Sequence, residues 1–385
     1  MNLTDAFLRF SRSEQFGGVL LIVCTAVSLT IANSPFQSGY LAFWHAPLGP
    51  LSVEHWINDA LMAVFFLLIG LELEREVYEG ELSNVRGALL PTFAALGGMA
   101  APALIHWALN GGTATQAGFG IPMATDIAFA LAILALLGPR VPSALKVFVV
   151  AFAVIDDLGA IVLIAAVYTT SISWAWLGAA LGIWLALAAL NRLRVMALAP
   201  YLLGGVALWV CLLNGGVHAS IAGVLLAFAI PFTARDADAP SPSARLMHVL
   251  HKPVAFAILP LFALANTGVL ISAQSLPELA GHNSMGIALG LLLGKPLGVF
   301  LLCMLAVKSG LCTLPTGIRW SHLAGAGIIG GIGFTMSIFI TNLAFAADPS
   351  LINASKLAVL AASLLAGILG YLWLKTTLPE SADTR

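Results

Sequence analysis

The sequence predicts an all-α polytopic membrane protein of about twelve transmembrane helices. It also predicts inverted-topology repeats (helices 3–5 and 10–12), with helices 4 and 11 interrupted. Three observations carry this. The 385 residues are 60% hydrophobic and only 9% charged, with a mean hydropathy of +0.98, where a soluble domain carries about 25% charged residues. Apolar runs recur at close to the length a bilayer demands, about 20 residues. Lys and Arg gather in every second connection. This composition excludes an ordinary soluble enzyme, a secreted scaffold and a disordered chain. A formal net charge of -1 with no basic run excludes a nucleic-acid partner. Cys24, Cys211, Cys303 and Cys312 form no CxxC and read as small packing residues.

The apolar runs fall at 14–33, 57–72, 88–109, 118–137, 145–170, 174–191, 198–213, 216–232, 254–271, 285–308, 321–345 and 353–376. Together they leave no room for a separate soluble domain, so 1–385 reads as a single integral membrane transporter domain. Residues 233–245, TARDADAPSPSAR, read as a short linker. Residues 40–55, with Pro47, Gly49 and Pro50, suit a small extracytoplasmic hairpin. Arg9 and Arg12 before the apolar run 17–33 also fit a signal peptide. The length of the run and the spans that follow favour a retained first helix.

Counting basic residues orients the chain. Arg9 and Arg12 precede span 1. Arg75 and Arg86 follow span 2, Arg140 and Lys146 span 4, and Arg192 and Arg194 span 6. Arg235, Arg245 and Lys252 follow span 8, Lys308 and Arg319 span 10, and Lys375 and Arg385 close the chain. These are fifteen of the seventeen basic residues. The other two are Lys356, at the start of span 12, and Lys295, inside span 10. The alternate loops carry Glu54, Glu278 and Asp348 instead. Both termini are therefore expected on the cytoplasmic side.

Ionisable groups inside a bilayer are costly and each is a functional hypothesis. Asp126, Asp156, Asp157 and Lys295 lie well inside spans, and Asp59 lies near the outer end of span 2. A buried ion pair that only fixes helix packing is the plain alternative. Asp156 and Asp157 adjoin each other in AVIDDLGAIV. Neighbouring helical residues point about 100° apart, so both can border one cavity while facing different partners. Two carboxylates this close cannot both ionise cheaply. Such a pair suits protons or a hard cation, whereas soft metals want Cys or His.

Asp126 sits in IPMATDIAFA beside Thr125 and four residues after Pro122. Proline removes a backbone donor, so span 4 is expected to break there. Span 11 holds Gly325, Gly327, Gly330, Gly331 and Gly333 and is the second candidate, close packing through small residues being its alternative. Broken helices expose partial charges at their ends, which an Asp or a Lys can offset. Lys295, in LLLGKPLGV, is placed either to offset carbonyl ends or to pair with a carboxylate. Spans 4 and 11 are the middle members of two three-helix groups of opposite orientation, the pattern of secondary transporters with midplane ion sites.

Six segments carry a family resemblance over nearly the whole chain: WINDALMAVFFLLIGLELERE (56–76), IPMATDIAFALAILALLGPRVPSALKVF (121–148), AVIDDLGAIVLIA (153–165), GGVHASIAGVLLAF (215–228), LGKPLGV (293–299) and GIGFTMSIFI (331–340). On these the sequence resembles the NhaA sodium/proton antiporters, themselves an example of inverted repeats. The resemblance implies twelve helices with crossed unwound segments, exchange of Na⁺ or Li⁺ for H⁺, no cofactor, and a homodimer in the lipid bilayer of a bacterial cytoplasmic (inner) membrane. It also implies regulation by pH. By position, Asp156 and Asp157 match the family's Na⁺-binding pair, with Asp157 favoured as main ligand. Asp126 and Thr125 match residues near the site, and Lys295 matches a lysine that pairs with the first aspartate or steadies the helix ends. Asp59 matches an outward-pathway acid. Glu72, Arg75 and Glu76 match a cytoplasmic entry and pH-response cluster, and His218 a histidine linked to pH behaviour.

The chain departs from the family in that cluster. Where members carry a glutamate beside the histidine at the cytoplasmic end of helix 9, Met247 adjoins His248, followed by His251. Glu74 replaces a basic residue. The carboxylate–histidine part of the cluster is expected to be incomplete, and His248 and His251 have a bland alternative as interfacial residues. Rival functions fare worse. An intramembrane aspartyl protease would carry GxGD, which is missing from the sequence. A channel would need a continuous pore. A sodium-coupled symporter would need a further polar constellation for an organic substrate.

Overall fold

The computed structural model describes residues 3–169, 172–234, 240–271 and 275–379; of these, the side chains of residues 3–16, 275 and 276 are not described. The side chains of Arg9 and Arg12, and Arg235 and Arg385 altogether, therefore lie outside the described residues. Among the described residues the chain is helical apart from one two-stranded ribbon. Nine helices are long and apolar enough to cross a membrane, or up to eleven when each of two bent pairs counts as one span.

The twelve expected spans meet this number at one exception. Span 8 (216–232) holds only the seven-residue helix Ile221–Ala227. Gly216, in the left-handed region at φ 83°, ends the preceding Leu198–Gly215 helix. Turns surround the short helix on both sides, and Pro231 follows. The segment packs against the Met62–Tyr78 helix so closely that a Cβ on Gly223 would collide with the Ala63 carbonyl oxygen. A short buried helix and a span are equally apolar, and hydropathy does not separate them.

Two segment boundaries also differ from expectation. The linker does not reach Arg245, because a helix already starts at Pro242. Ser241 is its N-cap, with Oγ accepting from the Ala244 amide at 3.1 Å, and Pro242 occupies the first turn. The Ser241-Pro242 pair inside the expected linker is here a helix start. Residues 235–239 lie outside the described residues. Segment 40–55 holds the end of the Gln37–His45 helix and an antiparallel ribbon, Pro47–Leu48 with Leu51–Ser52, in the register Pro47↔Ser52 and Leu48↔Leu51. Gly49, at φ +67°, makes the turn that L side chains rarely adopt.

The helices gather into two compact units, each built from discontinuous segments. The first comprises Met1–Pro35, Glu81–Ala160 and Thr267–Arg385; the second comprises Phe36–Gly80 and Ile161–Asn266. In the first unit the Val85–Asn110 helix runs against the Lys295–Lys308 helix, where Gly97 and Gly298 meet backbone to backbone and neither could carry a Cβ without a clash. Small residues that admit such approach are how apolar helices associate without a hydrophobic drive between them. The second unit has a core of Leu67, Leu71, Leu187, Tyr201, Leu226 and Leu246. Outward faces such as Leu203, Val206 and Leu364 are exposed and apolar, as lipid contact requires.

Candidate functional site

In the first unit two helical rods are broken. Residues 116–123 form the 3-10 helix Gln116–Met123, residue 124 is extended, and the α-helix Ile127–Leu136 begins after Asp126. Pro122 lacks an N–H, and Gly118 is pressed against Phe345, Asn283 and His106. The second rod is Trp320–Gly330 followed by Phe334–Ala344, bent by 44°. Each break leaves backbone groups that a membrane cannot hydrate.

The two breaks satisfy one another. The Asp126 amide donates to the Ile332 carbonyl at 2.6 Å, and the Thr125 hydroxyl to the Gly330 carbonyl at 2.8 Å. Asp126 Oδ1 caps its own helix by accepting from the Phe129 amide at 3.1 Å. Oδ2 caps the other rod, accepting from the Thr335 amide at 3.1 Å and its hydroxyl at 2.6 Å. Ser363 Oγ takes the Gly333 and Phe334 amides, at 3.2 and 3.1 Å. The Ser337 hydroxyl reaches the Ile121 carbonyl at 2.7 Å. Lys295 Nζ donates to the Met123 carbonyl. Positive helix starts thus meet a carboxylate, and carbonyl ends meet an ammonium.

Lys295 is fully buried and serves both roles weighed for it, since Nζ also lies 2.7 Å from Asp156 Oδ2. The turn before it widens into a π-helix, Gly290–Gly294, because Pro296 cannot donate to the ladder. The ammonium stands 5.8 Å from the centre of the Phe152 ring. Asp156 and Asp157 are 0% and 1% exposed on the Ser143–Val167 helix. Asp156 Oδ1 has no hydrogen-bond partner among the described residues. Thr125 and Lys295 are the polar neighbours of Asp156, and Asp157 acts on the Lys295 charge through space. The structure thus brings Thr125, Asp126, Asp156, Asp157 and Lys295 together. Both Asp126 oxygens are already occupied as caps. Asp126→Ala should strip two helix starts at once, costing about 1–4 kcal/mol at the usual worth of a cap, seen as a lower thermal midpoint in detergent. An unchanged midpoint would show the crossing to be held elsewhere.

The second unit holds the remaining candidates in two groups. Asp59 lies in the π-helix Trp56–Leu61, with Oδ1 at 3.3 Å from His218 Nε2. At the other end of that long helix, Glu72 Oε1 lies 3.9 Å from His251 Nδ1, and Arg75 contacts Glu76 at 3.3 Å. Glu72, one of the acids that the resemblance places in this cluster, thus faces His251, while position 247, beside His248, is Met. Glu74 is buried and accepts from Ser243 Oγ at 3.2 Å. His248 is exposed. Sequence reasoning missed the hydroxyls of Thr335, Ser337 and Ser363, and Ser220 beside His218. It also missed the network in which His106 Nε2 meets Asn283 Oδ1 at 3.1 Å and Asn283 donates to Ser355 Oγ at 2.8 Å. For Thr335 and Ser337 the available signal was a polar residue within about one turn of the glycine run; Ser363, thirty residues beyond Gly333, carried none.

An all-α membrane fold with charges buried where helices break is the architecture of a secondary transporter. The profile of the family described as Na⁺/H⁺ antiporter 1 matches residues 8–374, and the chain belongs to that family. It is 62% identical over 373 residues to the Na⁺/H⁺ antiporter NhaA of Dechloromonas aromatica, covering 97% of this chain and 96% of that protein. Against the Na⁺/H⁺ antiporter NhaA 1 of Flavobacterium johnsoniae it is 55% identical over 384 residues and covers 100% of each. The NhaA of Mesorhizobium japonicum shares 50% over 372 residues, covering 95% and 93%.

Proposed function

We propose that the protein exchanges cytoplasmic Na⁺, or Li⁺, for external protons across a bacterial inner membrane, with both termini in the cytoplasm, as a homodimer and without a cofactor. The observation that carries this is the buried Asp156–Asp157 pair beside Lys295 at two broken helices. Where protons are scarce, the carboxylates lose theirs and coordinate a dehydrated monovalent cation, for which hard oxygen ligands are suited. Asp157 is the main ligand. Asp156 offers Oδ1, while Oδ2 stays with Lys295. Facing the acidic side, protons displace the cation. A loaded site is close to neutral, so the change of access is permitted in that state. Asp126 and Thr125 hold the crossing in shape, and the two broken rods support the reading of helices 3–5 and 10–12 as inverted repeats.

Two proton-binding groups against one monovalent cation make the exchange electrogenic. Competition for the same oxygens makes it faster at alkaline pH, which suits sodium and pH homeostasis. Asp59, Glu72, Arg75, Glu76, His218, His248 and His251 serve the pathways and the pH response. The test uses inside-out vesicles with an acid interior, to which NaCl, LiCl and KCl are added in turn while a dye reports the proton gradient, from mildly acidic to alkaline pH. Na⁺ and Li⁺ should collapse the gradient, increasingly at alkaline pH, and K⁺ should not. A gradient untouched by any cation at any pH, with the protein inserted, would reject the proposal.

A further inference from the structure

At the end of the first unit that carries Glu278 and Asp348 lies an open cleft of about 430 Å³ that the ion exchange as described does not use. Small-molecule sites run from about 300 to 1,000 Å³. The cleft lies between the end of the Val85–Asn110 helix and the starts of the His282–Leu289 and Pro349–Thr377 helices. Its wall is largely apolar, from Leu109, Leu351 and Ala354. Among the described residues that line it, Glu278 is the one acid, and Lys and Arg are missing. Glu278 Oε1 accepts from the Ser350 hydroxyl at 3.1 Å. The two helix starts differ. Asp348 caps the Pro349–Thr377 helix by accepting from the Ser350 and Leu351 amides, at 3.0 and 3.1 Å. The His282–Leu289 helix has Gly281 at its N-cap, with no side chain to take its first amides. Ser284, in the first turn of that helix, lines the cleft and is 2% exposed, and its Oγ has no hydrogen-bond partner among the described residues. A buried hydroxyl left unpaired is destabilising and calls for a reason. The helix start around it is held firmly. Asn110 Nδ2 donates to the His282 carbonyl at 3.0 Å, and Asn283 is bonded to His106 and Ser355 at 3.1 and 2.8 Å.

We propose that this cleft binds a small zwitterion with an apolar body, the chemistry of an aliphatic α-amino acid. The ligand's carboxylate lies at the start of the His282–Leu289 helix, where first-turn amides and the helix dipole favour an anion, and takes the Ser284 hydroxyl as a donor. Its ammonium pairs with the Glu278 carboxylate. The two poles are neighbours, since the Glu278 main-chain carbonyl accepts from the Gly281 amide at 3.1 Å. The ligand's side chain packs on Leu109, Leu351 and Ala354. Charge complementarity selects this class. A plain anion would meet the Glu278 carboxylate, and a plain cation would leave the helix start and Ser284 unmet. A start already fixed by Asn110 and Asn283 loses little freedom when the ligand arrives. The site shares no residue with the cation site at Asp156 and Asp157 and does not depend on the exchange proposed above.

Three probes of similar shape separate the poles. L-leucine carries both charges, isocaproate lacks the ammonium, and isoamylamine lacks the carboxylate. Binding to full-length protein in detergent would be measured by calorimetry at neutral pH. L-leucine should bind, and each single-charge analogue should bind at least about tenfold more weakly, the loss of one charge-assisted pair. Glu278→Gln should weaken L-leucine by about the same factor and spare isocaproate. Ser284→Ala should weaken L-leucine and isocaproate and spare isoamylamine. Because Ser284→Ala removes a hydroxyl that has no partner, its melting midpoint without ligand should not fall. Na⁺/H⁺ exchange by both variants in ligand-free vesicles should match wild type. No measurable binding of L-leucine, binding of either analogue as tight as that of L-leucine, or L-leucine binding unchanged in Glu278→Gln overturns the proposal. Failure of wild-type protein to exchange Na⁺ for H⁺ would instead remove the proposed function and leave the binding result standing.

Discussion

Asp157→Asn is expected to reduce Na⁺- and Li⁺-driven collapse of a proton gradient to the level of protein-free vesicles, while the purified variant elutes and melts like wild type. The substitution keeps the shape of the side chain. It removes both features that exchange requires, the negative charge that replaces a hard cation's water and the capacity to trade that cation for a proton. Asp157 is 1% exposed, so no bulk water is at hand to substitute for the lost charge. The variant should be silent at every pH, not shifted along the pH axis. Residual exchange with a displaced pH profile would move the main ligand to Asp156, and full activity would remove the pair from the cation site.

Lys295→Met should be the most destabilising single change in the first unit. It leaves the Asp156 carboxylate buried beside an apolar side chain and takes the donor from the Met123 carbonyl. Breaking a buried ion pair from one side costs about 3–5 kcal/mol, chiefly through the charge left behind, whereas replacing both partners is often close to neutral. The double variant Lys295→Met with Asp156→Asn should therefore melt well above the single one and near wild type. Thermal unfolding in detergent reads this directly. Equal midpoints for single and double variants would mean that the pair does not govern stability, and that the lost bond to Met123 does.

Much of this was legible in the sequence because the membrane enforces it. Hydropathy located eleven of the twelve segments that the structure fills with long or bent helices. It failed at 216–232, where Gly223 and its small neighbours make a short buried helix as apolar as a span. Asp156, Asp157 and Lys295 stood out because a charge in an apolar run is expensive. That Lys295 would meet carbonyl ends or a carboxylate was legible too; which carbonyl, that of Met123, was hidden, since a main-chain acceptor has no mark in sequence. Thr335, Ser337 and Ser363 were hidden for another reason. A hydroxyl in an apolar helix normally bonds its own backbone, as Thr341 does to Ser337, and only the crossing of two breaks gives these three a different target. The pairing of Glu72 with His251 depends on packing between two helices. So does the contact of Asp59 with His218, which lie far apart in sequence.

The central claim is that cation and protons compete for the same buried carboxylates. Its most direct test is proton release from purified protein in weakly buffered detergent solution at alkaline pH, with Na⁺ binding followed in parallel by calorimetry. Addition of NaCl or LiCl to wild type should acidify the solution in proportion to the cation bound, KCl should not, and Asp157→Asn should show neither binding nor release. Na⁺ binding with no proton released, or release undiminished in Asp157→Asn, would contradict the account.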